Sequence, residues 1–329
     1  MEASPTKRFM IEPSLDCQLE CAMCYHIHKK DQWKQTIKPL DDVKKEIDAG
    51  VKRGNTWMDI TGGEPTIYPH ILETVKYAKD QGLKVCIITN GLMGRKRVEE
   101  LRDAGLDEFL VSVHGLKSTH DEIIGCQGFD TQTNFLNEAH IAGISLRFNT
   151  VISSYNQREL SRIAAVRSNF KPKIWNFINM NPHGAWANDI EKTRGVIADF
   201  KVAQPELEAA IDYLEAKGIG VNLRYYPMCR IKEEYRRCVC NDLHVMQDSH
   251  EWDYGEMPKT YDQYRQWGIN TSNNIENKEK PCSDCGLQWI CGGVNKAYFK
   301  AAGPDCVTAQ FFDGDKNEFF YYRQHATTL

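Results

Sequence analysis

The chain has 329 residues, 41% of them hydrophobic and 26% charged, enough for one large or two modest globular domains. Lys plus Arg number 41 against 45 Asp plus Glu, a formal charge of −4 that is too balanced for the broad basic surface of a general nucleic-acid binder. No apolar run approaches the roughly 18 residues that span a bilayer, and the opening MEASPTKRFMIEPSL lacks the apolar core of a secretory signal, so a cytoplasmic, non-membrane protein is expected.

From residue 8 to about 226, short β-branched runs alternate with helical patterns, which predicts six or seven βα units around a parallel sheet. Strands are expected at Arg8–Ile11, Trp57–Thr61, Val85–Thr89, Phe109–Val113, Leu146–Ile152, Ile174–Met180 and Val221–Tyr225. Between them, apolar residues three or four apart mark helices, such as Leu40, Val43, Ile47 and Val51, then Ile71, Leu72 and Val75, then Val98 and Leu101. Gly54, Gly82, Gly105, Gly143 and Gly218 fall where a left-handed residue would end a helix. Near Tyr226 the alternation stops and a stretch rich in Cys, Trp, Tyr, Asn and Asp follows. The division expected is 1–226 for the α/β domain and 227–329 for a smaller one whose order depends on metal.

Twelve cysteines without a secretion signal argue for metal ligation over disulfides. Cys17, Cys21 and Cys24 stand within eight residues, directly after the first strand, on the sheet edge where α/β folds place their active sites. Three thiolates on one loop can hold three corners of a cubane [4Fe–4S] cluster and leave the fourth iron open. A Cys₃His zinc site using His26 or His28 is the alternative, although zinc ligands usually come as paired knuckles with a spacer. Cys86, inside the run Val85–Ile88, reads as a packing residue.

This C-x₃-C-x₂-C loop resembles the signature of the radical S-adenosylmethionine (SAM) enzymes, and the resemblance covers at least residues 8–180. It implies a partial (β/α)6 TIM-like barrel with a small Cys-rich C-terminal domain. It also implies a [4Fe–4S] cluster whose open iron chelates SAM, reductive cleavage of SAM to a 5′-deoxyadenosyl radical, and hydrogen abstraction from a substrate C–H bond. Met23 stands where the family usually has an aromatic residue, and Tyr25 follows the last cysteine as a candidate cofactor contact. Thr61-Gly62-Gly63-Glu64-Pro65 resembles the family's GGEP segment, with glycines that admit close backbone approach and a carboxylate for the SAM ammonium group. Asn90, in Ile88-Thr89-Asn90-Gly91, resembles a contact near the SAM ribose. Ser112 and His114, two apart at the end of the fourth strand, share a face and resemble a further cofactor segment. For His114 a structural, hydrogen-bonded histidine is the equal alternative. Arg147 and Asn149 on the fifth strand and Met180 at the end of the sixth complete the candidate cofactor set, with Arg147 equally able to serve as an ion-pair partner.

Cys282, Cys285 and Cys291 form C-x₂-C-x₅-C, with Cys306 15 residues further on. The spacing resembles the SPASM or twitch extensions, which carry auxiliary [4Fe–4S] clusters, although Asn295 does not match a further SPASM cysteine. Cys229, Cys238 and Cys240 are additional candidate ligands, so at least one auxiliary cluster is expected without a unique assignment, and zinc again is the alternative.

The function expected is a radical SAM oxidoreductase, acting on a small molecule by oxidation, dehydration or epimerisation, with flavodoxin or ferredoxin as electron donor. The first strand begins about eight residues into the chain, which favours a small molecule over a leader-bearing peptide; a short peptide is the runner-up. A metal-stapled RNA-binding module is the reading from another class, and it leaves the convergence of motifs on one sheet edge unexplained. Asn179–Trp186 and Trp252–Tyr254 are candidate substrate walls, with ordinary packing as the alternative. Cys126, between two glycines, is a candidate hydrogen-atom donor to a substrate radical, or else a packing residue.

Overall fold

The computed structural model describes residues 7–24, 37–240, 281–287 and 291–311. Among them, eight strands run parallel in the order of the sequence: β1 (Arg8–Ser14), β2 (Trp57–Gly62), β3 (Lys84–Thr89), β4 (Glu108–Ser112), β5 (Ser145–Ile152), β6 (Ile174–Asn179), β7 (Gly220–Arg224) and β8 (Val239–Cys240). The sheet is unclosed, with β1 and β8 as its edges. All seven expected strands are present with ends shifted by a few residues. The eighth was not expected, and it carries the sheet into the Cys-rich region, because Arg224 pairs with Cys240.

Helices return the chain from each strand to the next: α1 (Leu40–Lys52), α2 (Ile71–Asp80), α3 (Arg95–Asp103), α4 (Lys117–Ile124), α5 (Phe129–Ile141), α6 (Leu160–Arg167), α7 (Ala185–Asn188), α8 (Ile190–Val196) and α9 (Phe200–Ala216). The glycines expected to end helices, Gly54 to Gly218, all take positive φ. The outer faces of the strands supply the apolar core against these helices. Phe109 of β4 meets Phe135 of α5 edge to face with centroids 5.1 Å apart, and Phe148 of β5 meets Trp175 of β6 in the same way. α10 (Lys296–Ala302) follows the last cysteines and is seated on the sheet's later helices. There the Tyr298 hydroxyl donates to the Ala198 carbonyl and Arg194 Nε donates to Ala301 O at 3.0 Å. No helix among the described residues is long and apolar enough to cross a membrane.

Ion pairs between strands that are not neighbours show that the sheet curls around a concave face. Arg8 of β1 lies 3.5 Å from Glu108 of β4, and Arg147 of β5 lies 3.8 Å from Asp59 of β2. These four side chains, with Arg8 also paired to Asp59, fill the N-terminal half of the concavity with two cations and two anions. Further along the same inner face, Glu12, Thr61, Ile88, Ser112, Asn149 and Ile178 are only half-buried while their outward neighbours are buried. The concavity is thus plugged at the N-terminal end of the strands and open at the C-terminal end, where the cysteine loop lies.

Candidate active site

The loop carrying Cys17, Cys21 and Cys24 is seated by the turn that follows β2. Gly63 N donates to Ser14 O at 3.0 Å and Glu64 N to Asp16 O at 2.7 Å. A Cβ at Gly62, whose φ is +129°, would stand 2.0 Å from Ser14 O, and one at Gly63 would stand 2.1 Å from Asp16 O. The two glycines therefore admit the backbone of the cysteine loop itself.

Glu64 is buried, and its carboxylate is a junction. Oε1 accepts from Thr66 N at 3.1 Å, Thr66 Oγ1 at 2.6 Å and Thr89 Oγ1 at 2.8 Å, while Oε2 accepts from Asn90 N at 2.8 Å. Burial pushes its pKa up against the pull of these donors. The carboxylate ties the end of β2 to the end of β3, and Oε2, with one donor, retains capacity for another. Pro65 opens the short 3₁₀ turn Pro65–Ile67 that presents the Thr66 donors. From β3, the Asn90 amide reaches toward the first cysteine, with Nδ2 4.0 Å from Cys17 Sγ.

Two further segments hold the loop. Ala22 N donates to Ile123 O of α4 at 2.8 Å, and Trp186 Nε1 donates to Cys24 O at 3.2 Å. Trp186 is buried and supports the loop, as the packing alternative for the stretch Asn179–Trp186 expects. Cys126 lies just beyond α4, which the sequence reading had not placed before it. Its side chain is exposed, so the packing alternative does not hold. Gly125 beside it faces the cysteine loop, since a Cβ there would be 3.8 Å from Glu20 O.

The donor set fits an iron–sulfur cluster. Burial, then the charges of Cys24 and Cys17, push the Cys21 thiol up to about 12, with Cys126 adding to the effect. Thiolates gathered this closely repel one another until a cationic centre is shared among them. Leu19 N points at Cys17 Sγ at 3.4 Å, the kind of amide contact that stabilises a ligating thiolate. Among the described residues no three His, Cys, Asp or Glu groups close around the position of a single metal ion.

On the inner face Ser112, Asn149, Asn176 and Asn222 stand in one register row across β4 to β7. Asn176 Nδ2 donates to Asn149 Oδ1 at 2.8 Å, and Asn222 Nδ2 to Asn176 Oδ1 at 3.1 Å. Ser112 and Asn149 are the half-buried members and face the open end. Asn176 and Asn222 went unread in the sequence, although polar residues at alternate positions of two strands were the available signal. Arg147 makes the ion pair that was its alternative role: Nε donates to Glu108 Oε1 at 2.7 Å and a terminal nitrogen lies 3.6 Å from Cys86 Sγ, within the plug. Its register level, two residues before Asn149, keeps it away from the open end. Cys86 is buried, as its packing assignment requires.

His114 is buried just past β4 and has a hydrogen-bond partner, as its structural alternative expects. Its Nδ1 accepts from Val151 N at 3.4 Å, its ring stacks on His120 with centroids 6.5 Å apart, and burial lowers its pKa to about 3. Met180 is buried in the apolar core with its amide donating to Ile152 O at 3.2 Å. Tyr25, His26, His28 and Trp252–Tyr254 lie outside the described residues.

The later cysteines divide. Met228 N and Gly293 N both donate to Cys291 Sγ at 3.4 Å, Thr308 N to Cys229 Sγ at 3.4 Å, and Gln310 N to Cys285 Sγ at 3.3 Å. Burial is the main cause that raises Cys291 and Cys306 to about 12, and the charges of Cys229 and Cys282 contribute to both. Cys229, Cys282, Cys285, Cys291 and Cys306 therefore share one neighbourhood, a grouping that the spacing alone had left open. Cys238 instead lies 3.6 Å from Glu215 Oε1, and Cys240 ends β8.

Residues 11–165 match the family model of the Radical SAM superfamily. Among curated proteins, a probable GTP 3′,8-cyclase of Sulfurisphaera tokodaii is 27% identical over 213 residues, covering 64% of this chain and 66% of that protein. The Fe-coproporphyrin III synthase of Methanosarcina barkeri is 30% identical over 149 residues, 45% of this chain and 37% of that protein. The matches thus span less than two thirds of these relatives' own lengths. Among solved structures, SuiB of Streptococcus suis bound to its precursor peptide SuiA superposes with a TM-score of 0.60 at 17% identity, over 94% of this chain and 75% of that one, a likeness of fold. Residues 11–165 thus form a domain of the Radical SAM superfamily, and the Cys-rich C-terminal region is consistent with a SPASM or twitch-like extension.

Proposed function

We propose that this protein is a radical SAM oxidoreductase acting on a C–H bond of a polar small molecule, with residues 227–329 holding one auxiliary [4Fe–4S] cluster. The observation that carries this reading is the presence of two separate gatherings of thiols, each with backbone amides aimed at sulfur. When bound, the first cluster and SAM supply a 5′-deoxyadenosyl radical, and the second cluster supplies a one-electron acceptor or relay. Cys17, Cys21 and Cys24 would hold the first cluster, while Glu64 Oε2 and Asn90 would orient the SAM amino group and ribose edge. Cys229, Cys282, Cys285, Cys291 and Cys306 offer five thiols, enough to close the second cluster entirely. Ser112 and Asn149 present neutral hydrogen-bonding groups to a substrate in the open half of the concavity, and a flavodoxin- or ferredoxin-type protein supplies electrons.

Anaerobic reconstitution should give about eight irons per chain, the content of two cubanes. Replacing Cys17, Cys21 and Cys24 together by Ala should remove about four of them and all release of 5′-deoxyadenosine from SAM under reduction. A triple variant that still cleaves SAM would sink the assignment.

The exposed thiol of Cys126 beside the cysteine loop favours a second reading, a reaction redox-neutral for the substrate in which Cys126 returns a hydrogen atom to the substrate radical. The thiyl radical left behind is restored by one electron, from the electron-donor protein by way of the auxiliary cluster, and a proton from water. In that case Cys126→Ala still releases 5′-deoxyadenosine but no longer delivers solvent deuterium to product. A short peptide is the alternative substrate class, as in the SuiB complex with SuiA.

A further inference from the structure

Gln132 lies on the inward stripe of α5, in series with Phe135, Leu136 and Ala139, at a position where an aliphatic residue would serve packing. It is fully buried. Its Nε2 donates to two carbonyls at once, Asn90 O at 2.7 Å, just past the end of β3, and Ser112 O at 2.9 Å, at the end of β4. A Cβ at Gly91 would stand 3.1 Å from Gln132 Cγ, so the β3 end is pressed directly against this side chain.

The amide is held in one orientation. Arg167 of α6 is also buried and reaches Gln132 Oε1 at 3.4 Å and Thr133 Oγ1 at 2.7 Å, with its guanidinium 3.9 Å from the centroid of Phe129. A guanidinium only donates, so Oε1 must face Arg167 and the NH₂ group must face the carbonyls. Both hydrogen-bond partners of Arg167 are neutral, and burying a guanidinium so is costly unless the arrangement serves something else.

We propose that Gln132, oriented by Arg167, is a positioning residue that sets the pitch of the β3 and β4 ends against bound SAM. The inference rests on the reading of that sheet edge as the SAM site. Asn90 is fixed on three sides, by Glu64 at its N–H, by Gln132 at its carbonyl, and by Leu92 N, which donates to its Oδ1 at 2.9 Å. Its remaining Nδ2 group is left aimed toward Cys17 Sγ. Ser112, fixed at its carbonyl, presents its side chain to the open concavity.

The test separates positioning from bulk stability. Gln132→Glu places a carboxylate that pairs with Arg167 but repels both carbonyls, so the variant should keep its melting temperature and its cluster iron. SAM should nevertheless bind roughly tenfold more weakly, as expected when contacts of hydrogen-bond strength are lost. The change that SAM makes in the electron paramagnetic resonance spectrum of the reduced cluster should also be altered. Gln132→Asn keeps the amide but shortens its reach, and should weaken SAM in the same direction. Wild-type affinity in both variants, affinity that falls only in step with melting temperature, or failure of both to keep the cluster overturns the proposal. Absence of SAM binding by the wild-type holoenzyme overturns the earlier reading instead.

Discussion

Trp186 Nε1 donates to the carbonyl of Cys24 at 3.2 Å across 162 positions of sequence, joining the segment after β6 to the last thiol of the first cluster loop. α7, which contains Trp186, and α8, which follows it, are also packed against α10 of the Cys-rich region. Trp186→Phe keeps an aromatic ring but removes the N–H and the fused five-membered ring, and should cost more than about 1 kcal/mol, the usual net value of one such bond, because the site is buried. The expected outcome is faster loss of iron from the first cluster to a chelator. An unchanged rate would show that the carbonyl needs no partner.

Arg147 separates a plug from a cofactor contact. Arg147→Met leaves Glu108 and Asp59 with an excess of buried negative charge and should destabilise the fold by about 3–5 kcal/mol, read from denaturant unfolding. The folded fraction should bind SAM with wild-type affinity. Loss of affinity without loss of stability would return Arg147 to the cofactor site.

The second thiol group makes a prediction about membership. Cys229→Ala should lower the iron content left in the Cys17, Cys21, Cys24 triple variant, or change the auxiliary cluster's spectrum as another thiol takes its place. Cys238→Ala should leave both unchanged, because that sulfur is beside Glu215. Equal effects of the two substitutions would break the grouping.

Acid should weaken this fold through two histidines. Burial is the main cause that holds His114 at about 3 and His120 at about 4, against an ordinary value of 6.5, and the charge of Arg167 adds to the depression at His120. Below about pH 6.5 the unfolded chain takes up protons that the folded chain refuses, so stability is lost as pH falls from there toward 4. Each histidine contributes at most about 1.4 kcal/mol per pH unit. Both ring nitrogens of His120 lack a hydrogen-bond partner, and its ring meets Phe129 edge to face. His120→Phe should therefore remove about one proton from the slope of stability against pH. An unchanged slope would mean that His120 titrates normally.

Much of the architecture is legible from local pattern. Alternating β-branched runs, helix periodicity and helix-ending glycines report backbone conformation, which depends on neighbouring residues. The loop of Cys17, Cys21 and Cys24 and the motif at Glu64 are legible for the same reason, since each is a short contiguous segment whose chemistry is carried by its spacing. The sequence alone thus determined the fold class and pointed to the Radical SAM domain matched over residues 11–165.

What only the tertiary structure decided is which polar groups meet. Arg147 and Asn149 alternate on one strand and look equivalent in sequence, yet one closes an ion network at the plugged end and the other faces the open end, because the curl of the sheet brings β2 and β4 to the first. Gln132 is a single polar residue on an apolar helix stripe, and its two carbonyl partners lie 42 and 20 positions away. Cys229 joins Cys282, Cys285, Cys291 and Cys306, while Cys238, nine residues later, does not. Contacts of this kind depend on long-range packing, and a hydrogen bond or a shared charge leaves no periodic trace in the chain that makes it.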